Sequence, residues 1–148
     1  MQRVLGIDYG ERRIGVALSD PLLMIAQPLP TITRRRGKRP PYAELERIIA
    51  ERDVGTLVVG LPLDENGDES DWTAEVRAFG DRLAQRTSLP VHYVDERMTS
   101  ARAERTVRAS GLSRTQREDK GRVDAAAAAL ILQAWLDNRS REDAASRP

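Results

Sequence analysis

The order of the apolar segments restricts this chain to few folds. Three extended segments come first, at residues 3–9, 14–18 and within 25–33, where Pro28 and Pro30 interrupt the third. Helical patterns then alternate with short apolar strands at residues 56–59 and 91–94. A meander followed by helical crossovers predicts a mixed α/β sheet, antiparallel on one side and parallel on the other, with helices on its faces. We expect five strands, with the proline-containing one at an edge.

Four helical segments are predicted between and after these strands. They cover residues 42–52, residues from a Ser70 cap to about 87, residues from a Thr99 cap to about 110, and a last helix that includes residues 123–136. A capping-box pattern at Ser113 marks another helical start. The 148 residues suffice for one core, so we expect a single domain over residues 1–138. Residues 139–148 are polar and charged and are predicted to be a disordered tail.

Residue usage narrows the possible chemistry. The chain has no cysteine, which excludes disulfides, thiolate catalysis and cysteine-based zinc sites. It has a single histidine, His92, which disfavours a catalytic triad. We expect His92 to be a structural or surface residue and assign no role to Trp72 or Trp135. The longest apolar run, residues 125–132, is too short for a membrane helix, and the N-terminus lacks the pattern of a signal peptide. We therefore expect a soluble, cytoplasmic protein without a membrane partner, whose chemistry depends on carboxylates.

Three acidic residues stand in unusual places. Asp8 lies inside the apolar first strand, where an uncompensated carboxylate is costly. Glu96 follows the strand at residues 91–94, at the edge where α/β sheets hold their sites, and Asp124 opens the most apolar helix. Each has an ordinary explanation: Asp8 could pair with Arg12 or Arg13, Glu96 with Arg97 or Arg102, and Asp124 could favour a helix N-terminus. Together, however, three such oxygen donors suit a hard divalent cation and predict a metal-dependent nuclease.

Basic residues are clustered although the formal net charge is only +1. The first cluster lies in a loop, and the second spans residues 97–122 with an excess of basic over acidic side chains. Such clusters suit a polyanion, although a solvated protein surface explains the second equally well. Because aromatic residues do not alternate with either cluster, stacking on unpaired bases is not indicated and contact with a nucleic-acid backbone is favoured. The loop cluster comprises Arg34, Arg35, Arg36, Lys38 and Arg39.

Four motifs in this order resemble the YqgF/RuvX family. They are GIDYGERRIGVALSD at residues 6–20, VVGLPL at 58–63, DERMTS at 95–100 and DAAAAALIL at 124–132. The resemblance covers residues 3–136 and implies an RNase H-like fold related to the Holliday junction resolvase RuvC. The family is associated with nucleolytic maturation of the 5′ end of 16S rRNA. In this sequence Met98 and Ser100 replace the leucine and threonine common in the family, and these changes leave the acid intact.

The resemblance places the family's catalytic and metal-binding acids at Asp8, Glu96 and Asp124, with Mg²⁺ or Mn²⁺, expected as two ions, as cofactor. The strand that ends at Glu96 is not expected beside the first strand, so Glu96 must reach across to complete the site. The implied partner is structured RNA, namely pre-16S rRNA in isolation or in ribosomal particles, or branched DNA, bound by a monomer or a homodimer. The phosphate backbone would be held by Arg97, Arg102, Arg114, Arg117, Lys120 and Arg122.

Other functions fit parts of the same sequence. The acids could resolve four-way DNA junctions, which requires a dimer. The segment Gly6 to Gly10 also resembles a phosphate motif of sugar kinases and actin-like ATPases, but that fold needs two domains. A non-catalytic RNA-binding or transcription factor is a third possibility. Asp64, after the fourth predicted strand, could be an alternative metal ligand, although a turn fixed by Pro62 and Gly67 explains it more simply.

Overall fold

The structure is a computed structural model that describes residues 2–34, 38–99 and 114–146. The predicted helix over residues 99–110 and the capping box at Ser113 therefore lie outside the described residues, apart from Thr99 and the helix that begins at Arg114. The elements in chain order are β1 (Arg3–Tyr9), β2 (Arg13–Ser19), β3 (Ala26–Pro28), β4 (Ile32–Thr33), α1 (Tyr42–Glu51), β5 (Val54–Leu61), α2 (Asp71–Thr87), β6 (Val91–Asp95), a 3-10 turn (Glu96–Met98) and α3 (Arg114–Ser146).

The sheet is mixed, as the order of segments predicted. Its strands lie in the order β3-β2-β1-β5-β6, with β1 antiparallel to β2 and parallel to β5, and β5 parallel to β6. The expected third strand consists of two short strands, β3 and β4, which both pair with β2. Proline lacks the N–H that a continuous ladder needs, and Pro30 lies in the gap between them. The described residues therefore form six strands rather than the five expected.

The two faces of β1 belong to two separate cores. Leu5, Ile7 and Tyr9 face one cluster, which α1 and α2 cover, while Val4 faces a second cluster beneath α3. Because side chains alternate along a strand, Asp8 lies on the α3 face. On this face α3 approaches the sheet closely: a Cβ atom on Gly6 would lie 2.6 Å from the Leu132 Cβ atom. The absence of a side chain at Gly6 thus allows α3 to pack closely against β1.

Helix α2 begins where the sequence predicted. The Ser70 Oγ accepts a hydrogen bond from the Thr73 N–H at 3.3 Å, and the Thr73 Oγ1 accepts one from the Ser70 N–H at 3.0 Å. This reciprocal pair satisfies two N–H groups that the helix itself cannot. The Thr73 hydroxyl also donates a hydrogen bond to the Pro62 carbonyl at 2.7 Å, which connects the start of α2 to the loop after β5.

Helix α3 continues further than expected. Residues 139–146 are helical, where the sequence indicated a disordered tail. Interactions one turn apart support the extension: Asn138 donates to Glu142 at 3.3 Å, and Arg139 pairs with Asp143 at 4.0 Å. The extension is exposed as far as its side chains are described, and the last core residue of the helix is Leu136. In the described parts of the chain, no helix combines the length and the apolar character needed to cross a membrane.

Candidate active site

Asp8 is buried near the end of the central strand. Its relative exposure is 4%, and it lies on the α3 face of β1. It is held there by a strand whose other residues are almost all buried and which has partners on both sides.

Asp124 reaches the same edge from α3. A Cβ atom on Gly15 would lie 2.0 Å from the Asp124 carbonyl oxygen, and Gly15 is the residue directly opposite Asp8 in the β1–β2 ladder. Only glycine allows the helix backbone to come so close to the strand. The Asp124 carboxylate accepts a hydrogen bond from the Arg13 Nε at 2.9 Å, and its side chain is only 15% exposed. Arg13 therefore holds the Asp124 carboxylate at the edge of the site.

Glu96 crosses a neighbouring strand to approach this edge. It opens the 3-10 turn after β6, yet it is only 2% exposed. A Cβ atom on Gly60 of β5 would lie 2.9 Å from the Glu96 Oε1, so the side chain passes directly over this glycine. Gly60 follows Val59, which is paired with Ile7 of β1. The expected reach of Glu96 across β5, the strand between β6 and β1, is thus made possible by a missing side chain at position 60.

Asp8, Glu96 and Asp124 are brought to one edge from three separate elements, around Gly15 and Gly60. In the arrangement that the described residues adopt, no three acidic or histidine side chains form a ready metal cluster. Nevertheless, the donor set suits a divalent cation: all its ligating atoms are carboxylate oxygens, the acids are largely buried, and the two glycines let their elements approach the sheet closely. Such a cation would also compensate the negative charge that these acids bring together.

The loop after β5 has a clear structural role for Asp64. The Asp64 Oδ1 accepts hydrogen bonds from the N–H groups of Asn66 at 2.9 Å and Asp68 at 2.8 Å, which is the geometry of a carboxylate that closes a turn. Gly67 has a φ of 83°, a conformation that favours glycine. These contacts favour the turn explanation for Asp64 over that of a metal ligand.

Arg97 is fixed beside this loop. Its Nε and Nη2 contact both carboxylate oxygens of Asp95, with a shortest distance of 2.7 Å, and its backbone N–H donates to the same group. The hydrogen bonds that Arg97 donates to the Asp95 carboxylate raise the pKa of Arg97, so its guanidinium stays charged. The guanidinium also lies against Gly67, and the Arg97 side chain as a whole is 37% exposed. Arg102 and the side chains of Arg114, Arg117, Lys120 and Arg122 lie outside what the structure describes, so their predicted phosphate contacts stay predictions.

A cavity that the sequence did not indicate opens on the opposite face of the sheet. It has a volume of about 640 Å³ and is lined by aromatic and basic side chains. The Tyr9 ring stacks on Phe79 at 4.0 Å and lies parallel to Trp72 at 5.6 Å. The Arg34 guanidinium covers Tyr9 at 4.7 Å. We call this space the aromatic cavity; its lining includes Tyr9, Arg34, Lys38, Trp72, Phe79 and Arg82.

The sequence did not indicate stacking on bases because aromatic residues do not alternate with the basic loop, yet the fold places aromatic rings beside that loop. Arg34 and Lys38 belong to that loop, while Trp72 and Phe79 come from α2, about forty residues later in the sequence. The fold brings them together because α2 packs on the same face of the sheet as Tyr9. One other aromatic contact agrees with the sequence interpretation: His92 is an exposed residue, and its ring lies 5.2 Å from that of Trp135.

Comparison with known sequences identifies close relatives. The sequence model of the RuvX family, described as a Holliday junction resolvase, matches residues 2–138. A protein of Anaeromyxobacter sp. named as a candidate pre-16S rRNA nuclease is 46% identical over 93% of this chain and 98% of its own length. A relative from Koribacter versatilis with the same name is 44% identical over 93% of this chain and 88% of its own length.

Comparison with solved structures supports the fold. T. thermophilus RuvC in complex with a Holliday junction substrate aligns with 95% of this chain and 97% of its own, with a TM-score of 0.57 and 16% identity. The yeast mitochondrial Holliday junction resolvase Ydc2 aligns with 95% of this chain and 80% of its own, with a TM-score of 0.51 and 14% identity. At these identities the likeness shows the fold alone, which is RNase H-like.

Proposed function

Since the chain belongs to the RuvX family, we propose that it is a divalent-metal-dependent nuclease, a hydrolase that cleaves phosphodiester bonds in nucleic acid. Its substrate in this proposal is the 5′ end of pre-16S rRNA, free or within a ribosomal particle, and its place of action is the cytoplasm. The relatives named as candidate pre-16S rRNA nucleases support this choice. The observation that carries the catalytic part is that Asp8 is buried on β1, the neighbour of β5, while the buried Glu96 side chain passes over Gly60 of β5.

In this proposal the acidic side chains bind the metal and the basic side chains bind the phosphate backbone. Asp8 provides a fixed carboxylate on the most constrained strand, Glu96 adds one across β5, and Asp124 adds one from α3. These three would hold Mg²⁺ or Mn²⁺, as two ions in the form we propose. When bound, the metal supplies Lewis-acid stabilisation of the attacking and leaving oxygens of the phosphodiester. Arg13 orients Asp124 through the bond to its Nε, and Arg97, Arg102, Arg114, Arg117, Lys120 and Arg122 would hold the phosphate backbone.

Cleavage of two labelled substrates tests this proposal. One is an rRNA precursor with the unprocessed 16S 5′ end, and the other is a four-way DNA junction. We expect the wild type to cut the RNA only with Mg²⁺ or Mn²⁺, and Asp8→Asn to cut it at least about 100-fold more slowly, since even losing a residue that merely supports a ligand costs 10–100-fold. Glu51→Gln, which makes the same acid-to-amide change at an exposed position of α1, is the control and should cleave normally.

The junction resolvase is the second candidate function. It is favoured by the description of the family and by the likeness to a RuvC structure that holds a junction. Symmetric cuts in the DNA junction, with a dimer in solution, would support it over RNA processing, because two sites must face the two equivalent strands. Tight binding without cleavage of either substrate, by a folded protein supplied with metal, would contradict both nuclease functions and indicate a non-catalytic nucleic-acid-binding factor.

A further inference from the structure

The aromatic cavity combines three kinds of group that a nucleotide needs. Its rings include Trp72, which is half-buried, so part of its surface remains accessible for stacking. Its cations are Arg34, Lys38 and Arg82, which suit a phosphate. Its acids, Glu11 and Glu75, can accept hydrogen bonds from the amino groups of a base. An inorganic anion would gain nothing from the rings and would be repelled by the acids, so this mixture favours a nucleotide.

Arg34 is fixed in the wall of the cavity. Its Nη1 donates to the Gly10 carbonyl at 3.5 Å and its Nη2 to the Lys38 carbonyl at 3.0 Å, while the guanidinium lies on the Tyr9 ring. Its Nε is buried and has no hydrogen-bond partner among the described residues. A buried donor without an acceptor costs free energy. The cavity wall is therefore cationic at Arg34, whose guanidinium is held in place by two backbone carbonyls and the Tyr9 ring.

The position of the cavity links it to the acidic site. Tyr9 follows Asp8 directly in β1, and successive side chains of a strand point to opposite faces of the sheet. The β1–β2 turn, closed by the Gly10 N–H donating to the Arg13 carbonyl, lies at the end of the same strand. A nucleic-acid strand that passes around this end can therefore place one phosphate by the acids and a neighbouring nucleotide in the cavity.

We propose that the aromatic cavity binds one unpaired nucleotide of the nucleic-acid substrate, with its base on Trp72 and its phosphate by Arg34, Lys38 and Arg82. This assignment rests on the proposed function in one respect, since it takes the nucleotide to be part of the substrate strand. The volume of the aromatic cavity, about 640 Å³, lies within the range of roughly 300–1,000 Å³ that is usual for small-molecule sites. The enzyme would then prefer substrates with a single-stranded segment beside the cleaved bond.

Binding in the presence of EDTA separates this proposal from catalysis. Fluorescence anisotropy would compare a labelled single-stranded RNA hexamer with a blunt RNA duplex, for the wild type, Trp72→Leu, Arg82→Gln and the control Arg47→Gln. Arg47 is an exposed residue of α1 outside the cavity, so its variant removes the same charge without touching the site. We expect Trp72→Leu to weaken hexamer binding about 10-fold, since stacking on one ring accounts for roughly 5- to 150-fold. Arg82→Gln should weaken it several-fold, and Arg47→Gln less than twofold.

Several results would overturn the proposal. They are an unchanged hexamer affinity in Trp72→Leu, an equal loss for hexamer and duplex, or AMP binding as tightly as the hexamer, which would assign the cavity to a free nucleotide. If Trp72→Leu does not fold, Trp135→Phe leaves Trp72 as the sole tryptophan, and quenching of its fluorescence by the hexamer is expected. Absence of quenching would contradict the proposal. The two proposals can fail separately. If hexamer binding depends on Trp72 but the folded protein cleaves neither labelled substrate when metal is supplied, the nuclease function is refuted and the nucleotide site is retained.

Discussion

Two glycines control how close the acidic side chains come to the strands beneath them. At Gly15 the missing side chain admits the backbone of α3, and at Gly60 it admits the Glu96 carboxylate and the end of Ile131. Neither glycine has the positive φ that often explains a glycine: among the glycines that the structure describes, only Gly67 has one. Their role is close approach: a side chain at Gly15 would push the backbone of α3 away, and one at Gly60 would displace Glu96 and Ile131.

Gly60→Ala tests this role at the residue level. The new Cβ atom would lie 2.5 Å from the Ile131 Cδ1 and 2.9 Å from the Glu96 Oε1, so Glu96 must move. We expect metal-dependent cleavage to fall about 100-fold, since a misplacement of about 1 Å can have that effect on a catalytic group. Gly55→Ala, in the same strand, has its closest contacts with the side chain of the exposed Gln2, away from the acids, and is the control. Equal rates for the two variants would contradict a positioning role of Gly60.

The ion pair between Arg13 and Asp124 should be measurable in the protein without metal. Both side chains are mostly shielded, with 25% and 15% exposure, and the Nε to Oδ2 distance is 2.9 Å. A double-mutant cycle of Arg13→Gln and Asp124→Asn, unfolded by urea in EDTA, should give a coupling free energy of about 1 kcal/mol, at the upper end of the range for exposed pairs. A coupling near zero would show that Arg13 does not hold Asp124 in solution.

At the scale of elements, the turn between β2 and β3 is organised by one carboxylate. The Asp20 Oδ1 accepts the Ile25 N–H at 2.9 Å and the Met24 N–H at 2.7 Å. The hydrogen bonds from Ile25 and Met24 lower the pKa of Asp20, because they favour its charged form. The stabilisation is therefore present above the ordinary aspartate pKa and disappears as the pH falls through the lowered value.

Asp20→Asn isolates this effect, because the amide keeps the accepting oxygen and loses only the charge. We expect the wild type to be the more stable protein at about pH 5, and the difference in Tm to shrink toward zero near pH 2. Thermal unfolding of both proteins across this range measures it. A difference in Tm that stays constant with pH would mean that the ionised carboxylate does not stabilise the turn.

Local signals in the sequence predicted most helices and strands. The features that these signals missed depend mainly on contacts between distant elements. The Ser70 cap and the short apolar run of β1 are local, and both agree with the structure. The splitting of the third strand at Pro30 was also a local matter, but only the pairing with β2 showed two strands. Helical propensity and turn-to-turn pairs, rather than a core contact, explain the helix beyond Leu136.

At the scale of the whole molecule, the three acids could be picked out from the sequence, but the contacts that position them could not. Asp8, Glu96 and Asp124 were singled out because of an apolar strand, a strand end and an apolar helix. The crossing of Glu96 over Gly60 depends on the strand order, which no short segment contains. The aromatic cavity was missed for the same reason, since its cations and rings come from segments far apart in the chain.

Removal of residues 139–148 tests whether the domain ends where the sequence predicts. The last core side chain of α3 is Leu136, with 2% exposure, and the residues described beyond it are exposed. The interactions lost with the truncation are surface pairs, each of which is expected to contribute about 0.3–0.5 kcal/mol. We therefore expect urea unfolding to show a loss below about 1 kcal/mol and cleavage to stay unchanged. Leu136→Ala, by comparison, should cost about 2–5 kcal/mol. A truncated chain as unstable as Leu136→Ala would place the helical extension inside the folding unit.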